Sequence, residues 1–424
     1  MSGKYLEECL ACGGKHLEPI LDLGSQPLAN SFVKDPSAPE DKFPLAVNTC
    51  KDCFHTQLSY AVDPDLMFKN YLYVSGTSKT LKDYMSWFSN FAIQQYRLRN
   101  ENSNTARTFL DIACNDGTQL DAIKKVDPSI KTVGLDPAEN LMRETLKRHD
   151  GVCDYLNYHS RDVLIDKYDG FDIINAQNVF AHNADPVNFM RRCAELLTKD
   201  GLLFIQNSQA DMIKNGEFDT IYHEHQSFWN ASSISKCANR AGLVLCDRIR
   251  VPVHGISDLF IFRKATNRDH DGFVDFRARN ILAMEKHDGL HDIEAYKAFG
   301  KMARVTIDQF KEWYNESRTN YPTRMIVGFG AAAKGMTFLN ACNAKLDYII
   351  DENPLKYGLY SPGLHIPIVD KSLLLNTGTL DFVPLAWNFR DEIVDKIRSI
   401  RPSQFVVEYI VTYFPKFHIE RLYA

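Results

Sequence analysis

The 424-residue chain lacks an uninterrupted apolar run of about 18 residues, which a membrane-spanning helix needs. Its N-terminus carries acids and has no apolar segment of the secretory kind, so we expect a cytoplasmic protein without a membrane partner. It also lacks an excess of positive charge, since the formal net charge is -5. This balance argues against a nucleic-acid partner, whose phosphates need neutralising. The length predicts two to three domains, each with its own core.

Ten cysteines in a cytoplasmic chain indicate thiols or metal ligands rather than disulfides. Four of them form two CxxC pairs, Cys9 with Cys12 and Cys50 with Cys53. Such spacing lets two tight turns present four thiolates to one tetrahedral Zn²⁺, with no open position for catalysis. Four unrelated thiols are the alternative. Neither pair opens a helix after a strand, as a redox pair would. We predict a structural zinc site.

The first strand-turn-helix unit of the middle segment lacks a glycine-rich GxGxxG loop. A buried strand that includes Asp111 runs into a loop with Ala113, Asn115 and a single glycine, Gly117. About twenty-five residues later, Asp136 ends a second strand, where an acid can accept hydrogen bonds from ribose hydroxyls. S-adenosylmethionine (SAM) has a ribose but no phosphate, so this loop suits SAM better than NAD. An ordinary βαβ turn is the alternative.

Short apolar strands alternate with helical patterns through the rest of this segment. Strand-like residues 171–176 and 201–207 follow the first two strands, and Asn178 and Asn207 stand at or near their ends. The alternation predicts a doubly wound α/β sheet, in which ligands bind at the carboxyl ends of the strands. We therefore add Asn178 to the candidate cofactor-binding residues.

The segment from Phe218 to His225 places five groups capable of proton transfer within eight residues, downstream of the predicted cofactor loop. They are Asp219, Tyr222, His223, Glu224 and His225. Such a cluster beside a cofactor site indicates acid/base chemistry. The alternatives are a solvated loop or a second metal site, although the two histidines are two residues apart, unlike the HExxH zinc pattern.

The C-terminal segment contains a second nucleotide-type signal. Residues from about 273 to 314 have helical spacing of apolar positions, and a strand then runs into the GxGxxA sequence that begins at Gly328. Asp351 ends the next strand about twenty residues later, which is a fair dinucleotide fingerprint. Lys334 in the same loop is unusual for NAD but suits a phosphate at a helix N-terminus.

Nearly the whole chain resembles the sugar C-methyltransferases that act on nucleotide-linked 4-keto-deoxysugars, such as the dTDP-sugar C-3 methyltransferases. The resemblance rests on the segment between the CxxC pairs (residues 21–30), the loop at 112–117, the FDTIYHEH sequence at 218–225, and the C-terminal stretches at 330–337 and 351–363. It implies a class I SAM-methyltransferase sheet of Rossmann-like α/β type, flanked by a small zinc-binding domain and a second Rossmann-like domain. The implied boundaries are 1–70, 71–265 and 266–424.

The resemblance also implies a reaction. A base removes the acidic proton beside the ketone, and the resulting enolate carbon takes the methyl of SAM. His225 is our first choice as base, because the pKa of histidine lies near working pH. Tyr222 and Glu224 would position the substrate or stabilise the enolate oxygen, and His182 would be a further polar contact. The C-terminal domain would then hold the nucleotide-sugar rather than NAD.

Six residues are predicted to bind the substrate: His254, Ser257, Gly330, Lys334, Asp351 and Lys356. The family usually has His-Gly-Gly-Ser where this chain has His254, Gly255, Ile256 and Ser257, followed by Asp258. Ile256 adds bulk and Asp258 adds an acid, so the sequence does not identify the sugar. Ala113 likewise stands where glycine is common.

Three other functions remain open at this point. They are an NAD(P)-dependent sugar-modifying oxidoreductase that uses the Gly328 loop, a non-catalytic zinc-ribbon scaffold, and a methyltransferase of the same fold acting on another oxygen, nitrogen or carbon. We expect a monomer or weak homo-oligomer.

Overall fold

The computed structural model describes residues 2–68, 79–100, 106–209, 211–253, 255–266, 276–375, 378–401 and 407–423. None of the helices in these ranges combines the length and the apolar character that a membrane crossing requires. The predicted boundaries after residues 70 and 265 adjoin 69–78 and 267–275, which lie outside these ranges.

The N-terminal part is built of short antiparallel strands. Its elements are β1 Gly3–Tyr5, β2 Leu17–Gln26, β3 Phe43–Cys50, β4 Thr56–Leu58, β5 Tyr60–Val62 and the short helix α1 Asp65–Phe68. β1 pairs with β5, and β2, β3 and β4 form a meander. Buried and less buried residues alternate along β3, as expected for a strand with one face on a core.

The middle part is an α/β sheet with helices on both faces. Its helices are α2 Lys79–Arg99, α3 Thr118–Val126, α4 Glu139–Thr145, α5 Tyr158–Tyr168, α6 Pro186–Leu196, α7 Met212–Asn215 and α8 Ala231–Arg240. Its strands are β6 Thr108–Ile112, β7 Lys131–Leu135, β8 Asp150–Val152, β9 Phe171–Gln177, β10 Leu197–Asn207, β12 Leu243–Val251 and β13 Ser257–Lys264, with the two-residue β11 Ser227–Phe228 apart from this sheet.

The strand order of the middle sheet is β8-β7-β6-β9-β10-β13-β12. Strands β6 to β10 run parallel, and β13 pairs antiparallel with both of its neighbours. The order reverses at β6, so the loops after β6 and β9 flank a crevice at the carboxyl edge. This topology confirms the predicted doubly wound sheet and places Asp111, Asp136 and Asn178 at one edge.

The C-terminal part begins with two helices and continues as a second α/β sheet. Its helices are α9 Phe276–His287, α10 Ile293–Asn320, α11 Ala333–Cys342 and α12 Arg390–Ile400; its strands are β14 Met325–Phe329, β15 Tyr348–Ile350, β16 Ile368–Val369, β17 Leu380–Pro384, β18 Tyr409–Thr412 and β19 His418–Arg421. The order β16-β15-β14-β17-β18-β19 reads 3-2-1-4-5-6 from β14. This is the Rossmann order, and it confirms the second Rossmann-like domain.

The three parts share cores. One hydrophobic cluster joins residues of β2 and β3 to residues of α10, α11 and the C-terminal sheet, including Ile20, Val47, Phe299 and Phe338. Gly300 of α10 faces β2 so closely that a Cβ there would lie 2.2 Å from the carbonyl oxygen of Ile20. The N-terminal domain is therefore packed against the C-terminal helices and is not a separate appendage.

Candidate methyl-transfer site

The two CxxC pairs meet in one cluster. The Sγ atoms of Cys9, Cys12, Cys50 and Cys53 all lie within 4.8 Å of one another. Those of Cys9 and Cys53 are 3.5 Å apart, and those of Cys12 and Cys50 are 3.7 Å apart. A tetrahedral Zn²⁺ with Zn–S bonds of about 2.3 Å separates its sulfurs by roughly 3.8 Å, so the four thiolates fit this ion. No other group of three or more metal-type ligands gathers in the described ranges.

The second zinc knuckle contacts both other domains. The carbonyl oxygen of Phe54, directly after Cys53, accepts from the side chains of Asn230 (3.0 Å) and Tyr296 (3.2 Å). The ring of the next residue, His55, lies 4.1 Å from that of Trp229, and its Nε2 is 3.2 Å from Ser227 Oγ. The zinc site thus abuts the residues that follow the FDTIYHEH motif.

The motif continues directly into the N-terminal sheet. Residues Phe218–Thr220 form a 3-10 turn, and β11 begins two residues after His225. β11 pairs antiparallel with β4, so the N-terminal sheet has the order β11-β4-β3-β2. A segment that lies far beyond residue 70 is therefore an edge strand of the N-terminal sheet, so the predicted boundary at residue 70 does not separate the two parts completely.

His225 is held in one tautomer. Its Nδ1 lies 2.8 Å from the carbonyl oxygen of Thr220, which can only accept, so Nδ1 carries a proton. In the neutral ring, Nε2 is then the basic nitrogen, and it accepts from the hydroxyl of Tyr222 at 2.9 Å. The side-chain amide of Gln209 is also close: its nitrogen lies 3.2 Å from Nδ1 and 3.3 Å from Nε2 of His225. This arrangement presents a positioned base.

His182, for which the sequence suggested a further polar contact, lies beside His225. The two rings are 5.3 Å apart, and the other neighbour of His182 is Phe68, whose ring stacks on it at 5.6 Å. Burial lowers the pKa of His182 to about 4, so this imidazole is neutral at physiological pH. It can therefore contact a ligand without adding charge.

Glu224 is also buried, and its carboxylate is held by a residue for which the sequence predicts no role. Asn30 donates its Nδ2 to Oε1 of Glu224 at 2.6 Å. Burial raises the pKa of Glu224 to about 7, and the hydrogen bond from Asn30 opposes that rise. The only sequence signal for Asn30 was its place in the family-like segment 21–30.

Two of the five proton-transfer candidates point away from His225, which corrects the prediction of a single cluster. Oδ2 of Asp219 accepts from Nε1 of Trp387 at 2.6 Å and from the hydroxyl of Tyr413 at 3.0 Å. Nε2 of His223 lies 3.2 Å from the carbonyl oxygen of Phe43. Their partners belong to the C-terminal and N-terminal domains respectively. The physical reason is burial: each group needs a hydrogen-bond partner, and the neighbouring domain supplies it.

The predicted cofactor loop is unusually bent. Ala113, Asn115 and Gly117 have φ values of 60°, 53° and 79°, all in the left-handed region. At Gly117 a Cβ would also lie 3.0 Å from Oγ1 of Thr145. The loop thus turns tightly between β6 and α3, which is the geometry that brings backbone close to a ligand at the strand end.

Two buried carboxylates flank this loop. Asp136 accepts from the backbone N–H of Asn115 at 2.9 Å and of Ala138 at 2.8 Å, so it orders the loop and retains lone pairs for ribose hydroxyls. Asp111 accepts from Nδ2 of Asn175 at 2.7 Å. Burial raises the pKa of Asp111 to about 7. Together these groups suit the ribose and amine of SAM, which carries no phosphate.

Asn178 stands at the neighbouring strand end. Its φ is 52°, and its backbone N–H donates to the carbonyl oxygen of Gln206 at 3.0 Å. This bond bends the chain after β9 over the end of β10, toward the 3-10 turn that contains His182. The structure therefore brings Asn178 to the same edge as the loop after β6.

The predicted substrate residues of the C-terminal domain gather around one loop. Gly330 has a φ of 89°, and a Cβ there would lie 2.9 Å from that of Ala386. Asp351 accepts from the backbone N–H of Ala331 at 2.7 Å, and Lys356 donates to the carbonyl oxygen of Ala331, also at 2.7 Å. Asp351 and Lys356 therefore order the loop.

Lys334 lies in the first turn of α11, with Nζ 4.3 Å from the ring centroid of Trp387. Among the substrate candidates near β13, the hydroxyl of Ser257 is buried and donates to the carbonyl oxygen of Val253 at 2.7 Å. This corrects its assignment as a substrate contact, because the hydroxyl is turned into the protein. His254 lies outside the described residues.

Three family models match successive parts of the chain. Residues 9–68 match a zinc binding domain, residues 87–247 a methyltransferase domain, and residues 252–411 the C-methyltransferase C-terminal domain. The C-methyltransferase NovU of Streptomyces niveus is 26% identical over 397 residues, which is 92% of each chain. The ubiquinone biosynthesis O-methyltransferase of Coxiella burnetii (strain Dugway 5J108-111) is 24% identical over 164 residues, covering 36% of this chain and 69% of its own.

Among solved structures, the plantazolicin methyltransferase BpumL, in complex with a pentazolic desmethylPZN analog and S-adenosylhomocysteine (SAH), has 15% identity and a TM-score of 0.36. That match covers 44% of this chain and 87% of BpumL. The three family models, in the order of the domains and with the thiolate cluster and the class I sheet described above, identify the chain. It is a SAM-dependent methyltransferase of the C-methyltransferase family with an N-terminal zinc-binding domain.

Proposed function

We propose that the chain methylates a carbon beside the ketone of a nucleotide-linked 4-keto-deoxysugar. The observation that carries this proposal is the tautomer of His225, whose Nδ1 donates to Thr220 and whose Nε2 is therefore free of a proton. A carbon acid next to a carbonyl needs a positioned base, because its C–H proton has to leave before the carbon can take a methyl.

The first step is proton transfer. The C–H bond beside the ketone breaks, its proton passes to Nε2 of His225, and the electron pair moves to the ketone oxygen as an enolate. The imidazolium that forms keeps its Nδ1 hydrogen bond to Thr220 at 2.8 Å, so the ring does not need to reorient. His182 beside it is neutral and does not oppose the new charge.

Tyr222 and Glu224 would act on the substrate oxygen atoms. The hydroxyl of Tyr222 donates to Nε2 of His225 in the free protein. It has to turn away when Nε2 takes the substrate proton, and the enolate oxygen is then its natural acceptor. Glu224 can orient a sugar hydroxyl through its second oxygen, which has no hydrogen-bond partner in the described ranges.

The methyl donor would lie along the edge formed by the loops after β6, β7 and β9. Asp136 would hold the ribose of SAM. Asp111 and the bent backbone at Ala113 and Asn115 would contact the rest of the SAM molecule. When bound, SAM supplies an electrophilic methyl on a sulfonium. The residues of the site align the enolate carbon with it, and this positioning accounts for much of the rate enhancement.

The nucleotide half of the substrate would bind to the C-terminal domain. Lys334 in the first turn of α11 combines a cation with a helix N-terminus, which favours phosphate. Gly330 lets the backbone approach the ligand closely. The carboxylate of Asp351 accepts from the backbone N–H groups of Ala331 and Asn353, and it thereby orders the loop that carries Gly330.

The test is an assay of purified protein with SAM and a panel of dTDP-, GDP- and CDP-linked 4-ketosugars. Mass spectrometry then locates the added methyl. We expect a methyl on the carbon adjacent to the ketone, with C-3 favoured. Transfer to an oxygen or nitrogen, or turnover only of acceptors without a ketone, would overturn the proposal.

A further inference from the structure

Asn30 belongs to the zinc-binding domain, yet it contacts the motif of the methyltransferase domain. Its Nδ2 donates to Oε1 of Glu224 at 2.6 Å, across 194 positions of sequence. Glu224 itself is 6% exposed, whereas Asn30 lies on the surface. The exposed side-chain amide of Asn30 therefore supplies a hydrogen bond to a carboxyl group that is itself buried.

The turn that carries Asn30 is well anchored. It follows β2, with the backbone N–H of Ser31 donating to Leu28 at 3.0 Å. Leu28 and Ala29 are both buried, and Leu28 packs with Phe43 and Val62. The same sheet takes up β11, which begins three residues after Glu224, on its opposite edge. One rigid element thus fixes both ends of the Asn30–Glu224 contact.

This contact controls the orientation and the charge of Glu224. A hydrogen bond from an amide stabilises the ionised carboxylate, whereas burial favours the neutral acid. The titratable neighbours in sequence are His223, whose pKa is lowered to about 4 by burial, and His225. Because Asn30 occupies Oε1, the carboxylate cannot rotate freely, and Oε2 remains for the substrate.

We propose that Asn30 is a positioning residue of the methyl-transfer site, so that the zinc-binding domain completes the active site by orienting Glu224. The role of Glu224 toward the sugar rests on the proposed function above. The contact itself does not, because it exists in the free protein.

The experiment compares Asn30→Ala and Asn30→Asp with Asn48→Ala in full-length, zinc-loaded protein. Asn48 is a matched control, since it lies in β3 of the same domain and its side chain has no hydrogen bond in the described ranges. Carbon-13 NMR follows the titration of the Glu224 carboxyl in the free protein, and Glu224→Gln assigns the signal. Steady-state kinetics gives kcat, KM and the pH profile.

In Asn30→Ala we expect the Glu224 titration to move to higher pH and kcat to fall about 10- to 100-fold, the effect of losing a hydrogen bond to a charged group. Asn30→Asp moves the titration further, because two adjacent carboxyls resist ionising together. Zinc content and SAM affinity stay at wild-type values in both Asn30 variants. Asn48→Ala changes neither the Glu224 titration nor kcat.

An unchanged Glu224 titration in both Asn30 variants would overturn the inference, as would an equal loss of activity in Asn48→Ala. The NMR readout needs no substrate. A shifted titration in a protein that methylates no ketosugar would therefore refute the proposed function while supporting the positioning by Asn30.

Discussion

Trp387 of the C-terminal domain donates its indole N–H to the carboxylate of Asp219 at 2.6 Å, inside the motif that contains His225. Tyr413 donates to the same oxygen at 3.0 Å. Burial raises the pKa of Asp219, and the ammonium of Lys334 opposes that rise. The contact joins the C-terminal sheet to the segment 218–225, so it fixes the proposed nucleotide-binding site relative to the proposed methyl-transfer site.

Removing this anchor should destabilise the protein. We expect Asp219→Ala to lower the free energy of unfolding by about 2–4 kcal/mol, because the half-buried indole N–H of Trp387 and the buried hydroxyl of Tyr413 lose this acceptor. Asp219→Asn, which keeps an oxygen, should cost less. Urea unfolding measures both, and a double-mutant cycle with Trp387→Phe isolates the pair. Independent, additive effects of the two substitutions would contradict a direct coupling.

Loss of zinc should change the structure around Trp229, because the residues that follow Cys53 pack against it. In Cys53→Ser we expect loss of the metal, lower stability, and an altered emission of Trp229, whose ring lies 4.1 Å from His55. Metal analysis, unfolding and tryptophan fluorescence are the measurements. Cys153→Ser, which changes an exposed thiol outside the cluster, is the control. An unaltered Trp229 signal in the metal-free variant would show that the zinc site stabilises only the N-terminal domain.

Glu224 should make stability depend on pH in a defined direction. Its pKa rises from an ordinary 4.5 in the unfolded chain to about 7 in the folded protein, chiefly through burial. The folded state therefore binds the proton more tightly, and the free energy of unfolding falls as the pH rises through this window.

Between pH 5 and pH 8 this residue should cost the wild-type protein about 2–3 kcal/mol, a loss that Glu224→Gln avoids. Urea unfolding of both proteins at the two pH values gives the difference, in which the titrations of other groups cancel. A difference that does not change with pH would mean that Glu224 titrates normally in the folded protein.

Lys334 should affect binding of the nucleotide more than chemistry. Lys334→Ala removes a cation from the first turn of α11, so KM for the nucleotide-sugar should rise about tenfold, with little change in kcat. Lys345→Ala, an exposed lysine of the same domain, is the matched control. An unchanged KM would place the nucleotide elsewhere.

The sequence could predict features that depend on local pattern. The two CxxC pairs, the strand ends at Asp111 and Asp136, and the histidine that neighbours Tyr222 follow from spacing within short segments. The doubly wound α/β sheet could also be predicted, because alternating strands and helices restrict a domain to few sheet topologies.

Contacts between distant segments could not be predicted. Asn30 contacts Glu224 across 194 positions of sequence, and His223 contacts Phe43 across 180. Asp219 groups with the other proton-transfer residues in the sequence, because a single sequence does not reveal that its side chain turns toward Trp387. The same limit hid the pairing of β11 with β4. Each of these follows from packing of complete domains rather than from local preference.

The central claim is that Nε2 of His225 removes the proton beside the ketone, and proton exchange tests it most directly. The wild-type enzyme is incubated in D₂O with SAH, which cannot donate a methyl, and the dTDP-4-keto-deoxysugar, and proton NMR follows the signal beside the ketone. We predict that this signal disappears with wild-type enzyme and that His225→Ala slows its loss at least about 100-fold, while SAH still binds. Undiminished exchange in His225→Ala would contradict the account, as would a signal that persists with an enzyme competent for methyl transfer.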